Sequence, residues 1–510
     1  MIHLYTKIPA PFLALLLGSL AALAMPPFAL WPVLFVSLGG LYGLLLRRCP
    51  TKRGAFFTGW TFGFGYFLFS LSWIGNALLV EGSGYAWAWP LAVGGLPVVL
   101  SIFYGLMALV SVRFLDLERL SGYFGFATIF AITEILRGHV FTGFPWNLFG
   151  YTWDNMLPIL QILSISDVYG LTCLTVLWCS APVLLFLKQT KRRNRWITLG
   201  LIITSFLACY IYGSLRLRMP LTPIENAAIT VVQPNIDQAE KWERDKLYAH
   251  FLAHIDLSAP PPDSKALSTD THYIVWPETA LNYWVMETPE AKEEISRLLN
   301  SYPGDAYLVS GFLDYDPARD AYANTLVVID RNAQIVHRYT KHHLVPFGEY
   351  IPFQDYIPLA PVTAFQGFER GAGPALLETG SLSIAPLICY EVIFPHKIDA
   401  LPPPDVIINV TNDAWYGDSS GPHQHLAMAR FRAIEENTGV IRAANTGFSA
   451  SFDPLGRVSD KTTLFEAKKF TERLYKTPPS NPFKPLKKFW VILLVAFISI
   501  PLGYTEIRSR

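Results

Sequence analysis

Three ionisable residues in the polar half of the chain stand where short β-rich runs end. Cys389 follows the run 382–388, Glu278 follows the run 272–276, and Lys341 follows a turn after such a run. A thiol, a carboxylate and an ammonium that converge in space supply a nucleophile, its base and an oxyanion stabiliser. The alternative for a lone cysteine is a buried small hydrophobic residue.

The composition points to a membrane protein rather than an ordinary soluble one. The 510 residues are 51% hydrophobic and only 16% charged, against about 25% charged in soluble domains. A net charge of +1, without a basic stripe, gives no case for nucleic-acid binding. No disulfide framework or zinc-ligand spacing is present, so we expect no metal and no cofactor. The cysteines other than Cys389 lie in or beside apolar stretches: Cys49, Cys173, Cys179 and Cys209.

Apolar stretches near the length needed to cross a bilayer, about 20 residues, occur eight times. Seven precede the polar region and one follows it. The fifth stretch carries Glu134 and Arg137, one helical turn apart, and we expect them to pair inside the bundle. The predicted spans are 9–25, 27–46, 54–76, 88–112, 122–138, 164–187, 195–213 and 487–504.

The loops between these spans differ in charge. Lys and Arg cluster in the second, fourth and sixth loops, whereas the loops near 77–87 and 139–163 have neither. Because basic loops stay in the cytoplasm, both termini are predicted to be cytoplasmic and the polar region to lie outside. One conflict with this orientation is a basic cluster on the outer side of the last span, formed by Lys484, Lys487 and Lys488. The charge rule applies only weakly to large translocated domains, so the three basic loops outweigh this cluster. The predicted domains are a seven-helix bundle (1–213), a periplasmic catalytic domain (214–486) and a C-terminal transmembrane helix (487–510).

The polar domain alternates β-rich runs with helical signals, which predicts an α/β sandwich. Thr288-Pro289-Glu290 is an N-cap followed by a proline and an acidic first turn, and it predicts a helix. A second helix is expected over 423–437. The predicted strands are 228–232, 272–276, 307–312, 325–329, 382–388, 406–410 and 448–452.

Glu278, Lys341 and Cys389, in this order and context, resemble the catalytic set of the nitrilase superfamily. Joined to several membrane spans, the chain resembles the apolipoprotein N-acyltransferases essentially end to end. Further segments carry this resemblance: Glu134-Ile135-Leu136-Arg137-Gly138, Gly143-Phe144-Pro145-Trp146, Gln233-Pro234-Asn235-Ile236, Lys241-Trp242, Val345-Pro346-Phe347-Gly348-Glu349-Tyr350, Thr411-Asn412-Asp413-Ala414-Trp415-Tyr416-Gly417 and Gly421-Pro422-His423-Gln424-His425. The family's usual glycine in the first polar-domain motif is Pro234 here.

The resemblance implies a nitrilase-like αββα sandwich fused to an eight-helix transmembrane bundle in the bacterial inner membrane. It implies that Cys389 takes an acyl chain from a glycerophospholipid as a thioester. Glu278 would be the general base, and Lys341 with a backbone N–H near Tyr390 would stabilise the oxyanion. The chain would then pass to the α-amine of a diacylglyceryl apolipoprotein by ping-pong kinetics, without metal or nucleotide.

Four further residues have supporting roles by the same resemblance, each with a structural alternative. Glu349 is expected to orient Lys341 or the base, unless it is a surface carboxylate. Glu391 positions the nucleophile or forms a structural ion pair. Trp242 and Tyr390 line a substrate pocket or pack in the core.

Histidines and aromatic residues near these motifs raise two more questions. Hydrogen-bonding roles are expected for the histidines rather than metal ligation, because carboxylates or cysteines at ligand spacing are missing. The segment 344–368 is rich in aromatic residues and prolines, which favours a lid at the membrane interface, with Phe353 and Tyr356 as lipid contacts. The histidines concerned are His342, His343, His423 and His425.

Two other functions fit parts of the sequence. A membrane-anchored amidase of the nitrilase type would hydrolyse a lipid amide or ester and pass its thioester to water, but one anchor helix would suffice for it. A transporter or receptor with a ligand-binding outer domain would need no reactive cysteine. Few charges lie within the apolar spans beyond Glu134, Arg137 and Asp167, which gives little support for a transport path.

Overall fold

The computed structural model describes residues 8–49, 51–80, 84–260, 269–353, 356, 361, 367–476 and 491–498. The chain divides into two compact units. One comprises Met1–Gly75, Pro90–Met219 and Asn481–Arg510, and the other Asn76–Trp89 and Pro220–Ser480. The first is helical and the second is an α/β unit. The division into a membrane bundle (1–213), a catalytic domain (214–486) and a last membrane helix (487–510) stays a prediction.

The described part of the helical unit is built from apolar helices joined by short turns. Among the residues that the structure describes, three helices are long and apolar enough to cross a membrane: Ala86–Phe114, Val168–Phe186 and Arg192–Arg216. They fall on predicted spans, whereas the predicted total of eight spans stays a prediction. Of the last predicted span only 491–498 is described, and it is helical. The α-helices are α1 (Ala10–Ala22), α2 (Val33–Arg48), α3 (Lys52–Leu71), α4 (Leu96–Phe114), α5 (Leu120–His139), α6 (Leu157–Leu160), α7 (Val168–Ser180) and α8 (Arg192–Arg216).

A buried ion pair on α5 confirms one prediction for this unit. The Nε of Arg137 lies 3.2 Å from Oε2 of Glu134, and both side chains are fully buried. Arg137 also donates to the carbonyl oxygen of Trp146 at 2.9 Å and to that of Phe144. The guanidinium therefore joins α5 to the Gly143–Trp146 segment, and these bonds compensate for removing the charges from water.

The described part of the α/β unit contains two six-stranded sheets. The first has the order β12-β1-β2-β3-β4-β5 and the second β11-β10-β9-β8-β7-β6. Strands β1 to β3 are parallel to one another, as are β7 to β9. The strands are β1 (Pro223–Gln233), β2 (Thr271–Asn282), β3 (Asp305–Asp316), β4 (Ala321–Ile329), β5 (Ile335–Thr340), β6 (Leu377–Thr379), β7 (Leu382–Ile388), β8 (Val406–Thr411), β9 (Gly439–Ala444), β10 (Ala450–Phe452), β11 (Val458–Lys461) and β12 (Lys468–Tyr475).

Apolar residues of both sheets form one core between them, which includes Val275 of β2, Ile388 of β7 and Ile408 of β8. A second core lies under helices α9 (Leu247–Ser258) and α11 (Pro289–Asn300), on the other face of the first sheet. Helix α12 (Ser420–Glu436) packs against β9, and the four-residue α10 (Tyr283–Met286) follows β2. Because the central strands are covered on both faces, they read as nearly continuous apolar runs.

Every predicted strand overlaps an observed strand, and both predicted helices are present. The side chain of Thr288 accepts a hydrogen bond from the N–H of Ala291 at 3.3 Å, as its cap signal predicts. Strands β5, β6, β9, β11 and β12 were missed. Strand β5 alternates between half-buried and exposed residues, and β9 carries a buried arginine, so neither shows an apolar run.

Candidate active site

The structure places Cys389 and Lys341 where their strands end. Cys389 directly follows β7 and begins the 3₁₀ turn Cys389–Ile393, and Lys341 directly follows β5. Cys389 has a φ of 48°, in the left-handed region that residues with a Cβ rarely adopt. Strained backbone at a reactive side chain is typical of functional sites, where the surrounding structure holds it in place.

Glu278 corrects the sequence interpretation, because it lies inside β2 and not at the end of a strand. The pairing between β2 and β3 shifts from Trp276–Ser310 to Leu281–Phe312, so the intervening residues of β2 form a bulge that contains Glu278. A Cβ on Gly311 of β3 would lie 2.4 Å from the Cα of Glu278. The absent side chain of Gly311 thus lets the bulge approach, and the bulge turns the carboxylate toward Lys341.

The ammonium of Lys341 lies between two carboxylates. Its Nζ is 2.7 Å from Oε1 of Glu349 and 3.5 Å from Oε1 of Glu278, and all three side chains are buried. Burial by itself would lower the pKa of Lys341, but the two carboxylates hold this pKa above its usual value. Lys341 is therefore a fixed positive charge, as an oxyanion stabiliser has to be.

Asn324 connects the two carboxylates. Its Nδ2 donates to Oε1 of Glu278 at 2.7 Å and to Oε1 of Glu349 at 3.1 Å. The backbone continues the link, since the N–H of Lys341 donates to the carbonyl oxygen of Asn324 at 2.8 Å. One buried amide on β4 thereby fixes the spacing of Glu278, Lys341 and Glu349.

The thiol of Cys389 is buried beside these groups. Burial raises its pKa to about 12, and the negative charge of Glu278 adds to this effect. The charge of Lys341 and a hydrogen bond with Thr411 oppose the rise. The resting thiol is therefore protonated at neutral pH, and a base would have to remove this proton for the sulfur to act as a nucleophile.

Glu391 is fully buried and holds two loops together. Its carboxylate accepts hydrogen bonds from the N–H groups of His342 and His343, at 3.0 and 3.1 Å, and from that of Ile388 at 3.0 Å. The hydroxyl of Tyr339 donates to both carboxylate oxygens at 3.0 Å. Glu391 thus joins the residues after Lys341 to the residue before Cys389.

The remaining predicted residues lie in different surroundings. The ring of Tyr390 is buried against His343 and Phe394, whereas the side chain of Trp242 is half-buried. Phe353 and Tyr356 are strongly exposed, at 71% and 85%. Parts of the predicted lid (344–368) lie outside the described residues, namely 354–355, 357–360 and 362–366.

Behind Cys389 lies a buried polar cluster. The Nε2 of His425 is 3.2 Å from the carbonyl oxygen of Cys389, and its Nδ1 is 2.9 Å from Oδ1 of Asp413. Arg442 donates to Oδ2 of Asp413 at 2.6 Å. Burial would raise the pKa of Asp413, but Arg442 and His425 hold this pKa below its usual range. The cluster fixes the backbone at Cys389.

The other histidines that raised the question of a metal also contact protein groups. The Nδ1 of His342 lies 2.7 Å from the carbonyl oxygen of Gly371. The ring of His343 stacks on Phe394, and that of His423 lies against Phe448.

Sequence reasoning missed Asn324 and gave no role to Lys241, Asp413 or Arg442. Asn324 left a weak signal as an amide at the start of an apolar run. Lys241 and Asp413 stand in motifs that carried the family resemblance. Their roles depend on which groups they meet across the fold, and that information is not local in the sequence.

Comparisons with known proteins identify the family of the chain. The profile of the apolipoprotein N-acyltransferase N-terminal domain matches residues 17–181, and the carbon–nitrogen hydrolase profile matches residues 228–469. An apolipoprotein N-acyltransferase of Allorhizobium ampelinum is 39% identical, covering 98% of this chain and 96% of its own. The chain belongs to the apolipoprotein N-acyltransferase family. A family member from Sinorhizobium medicae is 38% identical over 89% of this chain and 88% of its own.

A solved CN-hydrolase superfamily protein from Xanthomonas campestris is 17% identical, with a TM-score of 0.35 over 48% of this chain and 89% of its own. The family membership confirms the resemblance read from the motifs. A nitrilase-like α/β fold with two sheets, in a chain that also has an N-terminal region of apolar helices, is likewise confirmed.

Proposed function

We propose that the chain transfers an acyl chain from a glycerophospholipid to the α-amino group of the N-terminal S-diacylglyceryl-cysteine of apolipoproteins. This is the last step of lipoprotein maturation. The observation that carries the proposal is the ammonium of Lys341, 3.5 Å from the Glu278 carboxylate and held by Glu349, next to a protonated thiol. Relatives that share the chain almost end to end bear the name of this activity.

In the first half-reaction, Glu278 takes the proton of Cys389 as the sulfur attacks the ester carbonyl. The tetrahedral oxyanion is stabilised by the ammonium of Lys341 and by a backbone N–H near Tyr390. The lysophospholipid then leaves and takes the proton from Glu278, and an acyl thioester remains on the sulfur. A base is needed because the buried thiol does not ionise by itself at neutral pH.

In the second half-reaction, the α-amine of the lipoprotein attacks the thioester. Glu278 accepts the amine proton, the same oxyanion site is used again, and the proton returns to the sulfur as the amide forms. The two half-reactions share one covalent intermediate, which gives ping-pong kinetics. None of the steps uses a metal or a nucleotide.

The proposed setting is the bacterial inner membrane, with both substrates anchored in the bilayer. The three apolar helices and the basic loops support a multi-pass protein with cytoplasmic termini and a periplasmic catalytic domain. Within that domain Glu349, Glu391 and Tyr390 support the catalytic residues. Trp242, Phe353 and Tyr356 contact the lipid, the last two as part of a lid.

A mass measurement on the whole protein tests this function. The protein in detergent or nanodiscs is incubated with a phospholipid that carries two different acyl chains, without an acceptor. We expect one acyl adduct on Cys389, stable until a diacylglyceryl peptide with a free amine is added, and then recovered on that amine. Cys389→Ser should give no thioester, and its mass is the matched blank.

The same experiment separates transfer from hydrolysis. An adduct that is lost to water before the acceptor arrives would instead favour a membrane-anchored amidase of the nitrilase type. If wild-type protein forms no adduct with any phospholipid, the proposed function is wrong.

A further inference from the structure

Lys241 is a second buried lysine next to the catalytic groups. Its side chain is only 7% exposed, and its Nζ donates to the carbonyl oxygen of Glu278 at 3.0 Å and to Oγ1 of Thr279 at 2.7 Å. Among the described residues, no carboxylate lies within ion-pairing distance of this ammonium. The nearby titratable groups that act on it through space are instead the carboxylate of Glu278 and, once it is ionised, the thiol of Cys389.

A buried ammonium without a carboxylate partner is costly for a protein. Removing the charge from water is unfavourable unless hydrogen bonds or opposite charges compensate for it. Burial lowers the pKa of Lys241 to about 8, against the opposing influence of Glu278 and Cys389. A side chain that costs stability at this place indicates a function beyond folding.

The two acceptors of Lys241 lie at the most strained point of β2. Thr279 has a φ of 51°, although a β-branched residue rarely adopts the left-handed region. Its hydroxyl also donates to the carbonyl oxygen of Glu278 at 2.8 Å. Lys241 thus binds one side of the bulge that presents the catalytic carboxylate, and Gly311 packs so closely against the bulge that an added Cβ would lie 2.4 Å from the Cα of Glu278.

We propose that Lys241 is a positioning residue for the general base: it holds the Glu278–Thr279 bulge in its strained conformation and places a second positive charge beside Glu278 and Cys389. This inference rests on the proposed function, in which Glu278 is the base. Lys341 and Lys241 then have different tasks. The first stabilises the oxyanion, and the second keeps the carboxylate aimed and favours the thiolate that forms.

Three variants of the whole protein test the proposal. Lys241→Met keeps most of the volume and removes the donors and the charge. Lys241→Arg keeps the hydrogen-bond donors and the positive charge. Lys246→Met is the matched control, because Lys246 is a partly exposed lysine that pairs with Glu240 and Glu243 at 3.0 and 2.7 Å.

The rate of thioester formation, the melting temperature and the pH dependence of Cys389 alkylation by iodoacetamide are measured for each. We expect Lys241→Met to form the thioester roughly 10²-fold more slowly, the usual effect of misplacing a catalytic group by about 1 Å. The phospholipid KM should stay within about twofold, because the ammonium contacts the bulge and not the lipid. Below about pH 8, where Lys241 is charged, Cys389 of Lys241→Met should be alkylated more slowly than in wild type at the same pH, because a positive charge near the thiolate is lost.

The melting temperature of Lys241→Met should equal or exceed that of wild type, because the cost of burying an ammonium is removed. Lys241→Arg should recover at least a tenth of the wild-type rate, and Lys246→Met should resemble wild type in every measurement.

A merely structural lysine predicts a different pattern. Lys241→Met would then unfold, or lose stability in proportion to activity, and either result overturns the proposal. A folded Lys241→Met with the wild-type acylation rate overturns it as well. Failure of wild type to form a thioester would count against the proposed function instead, and the alkylation profile would still test the charge of Lys241.

Discussion

The Nζ of Lys341 lies 2.7 Å from Oε1 of Glu349, and both side chains are almost fully buried. This pair excludes the surface alternative for Glu349, because the carboxylate is buried, whereas its role in orienting Lys341 for catalysis stays a prediction. Glu349 also accepts a hydrogen bond from the N–H of Val345 at 2.8 Å. The carboxylate therefore fixes the ammonium and the start of the predicted lid at the same time.

Glu349→Gln should slow thioester formation by about 10²-fold or more, close to the effect of losing an oxyanion donor. The change leaves the buried ammonium without its nearest charge, so Lys341 moves toward Glu278 and away from the substrate oxygen. Rapid-quench mass spectrometry of the acyl-enzyme measures the rate.

Glu369→Gln is the control for this prediction, because Glu369 pairs with Arg319 at an exposed position. Equal rates for Glu349→Gln and wild type would show that the Lys341–Glu349 pair has no part in acylation.

Asn324→Asp should be more harmful than Asn324→Ala. The amide donates to both Glu278 and Glu349, whereas an aspartate would place a third carboxylate between them. Carboxylates so close together disfavour one another's ionisation and raise the pKa of Glu278. We therefore expect Glu278 to be protonated at neutral pH in this variant. Single-turnover acylation at pH 6 to 9 measures this effect, and raising the pH should restore part of the Asn324→Asp rate.

Asn332→Ala, at an exposed turn, controls for general effects of losing an asparagine. An Asn324→Asp variant that acylates as fast as Asn324→Ala at every pH would contradict the prediction.

The thiol of Cys389 should react slowly with small alkylating reagents at neutral pH and faster as the pH rises. Because burial raises its pKa to about 12, each unit of pH below that value lowers the thiolate fraction about tenfold. We therefore expect no plateau in the alkylation rate up to pH 10. Iodoacetamide kinetics, with Cys389→Ser as the blank for the other cysteines, measure the profile.

Unfolding in guanidinium should restore the ordinary thiol profile, with a midpoint near 8.5. A plateau below pH 8 in the folded protein would mean that the thiol is ionised at rest and needs no base.

Replacing Phe353 and Tyr356 by Ser should lower phospholipid turnover several-fold with little effect on the melting temperature. Both side chains are mostly exposed, so their removal costs little packing, whereas lipid contacts made during the reaction would be lost. The effect should fall on the KM for phospholipid more than on the alkylation of Cys389.

Phe465→Ser is the control, since Phe465 is likewise an exposed aromatic residue, at 49%, and lies outside the predicted lid. Equal losses of turnover and stability in the Phe353 and Tyr356 variants would count against a lid.

The sequence by itself was enough to predict the family, the strand before Cys389 and the three ionisable residues that could take part in catalysis. Apolar runs such as 382–388 and 406–410 are local signals, because a strand buried on both faces has to be apolar along its length. The cap at Thr288 is a local signal too, because its hydrogen bond joins residues that are three positions apart in the chain. Polar edge strands such as β5 lack such a run, so they were missed.

Only the tertiary structure decided how the site is held together. The Glu278 bulge depends on the missing side chain of Gly311 on the neighbouring strand, and Asn324 meets its two carboxylates across 46 and 25 residues of chain. Lys241 reaches Glu278 across 37 residues. Hydrogen bonds and charge interactions act over a few ångströms in space, whatever the separation along the chain. The types of the reactive groups can therefore be read from the sequence, whereas their partners, burial and pKa values follow from the fold.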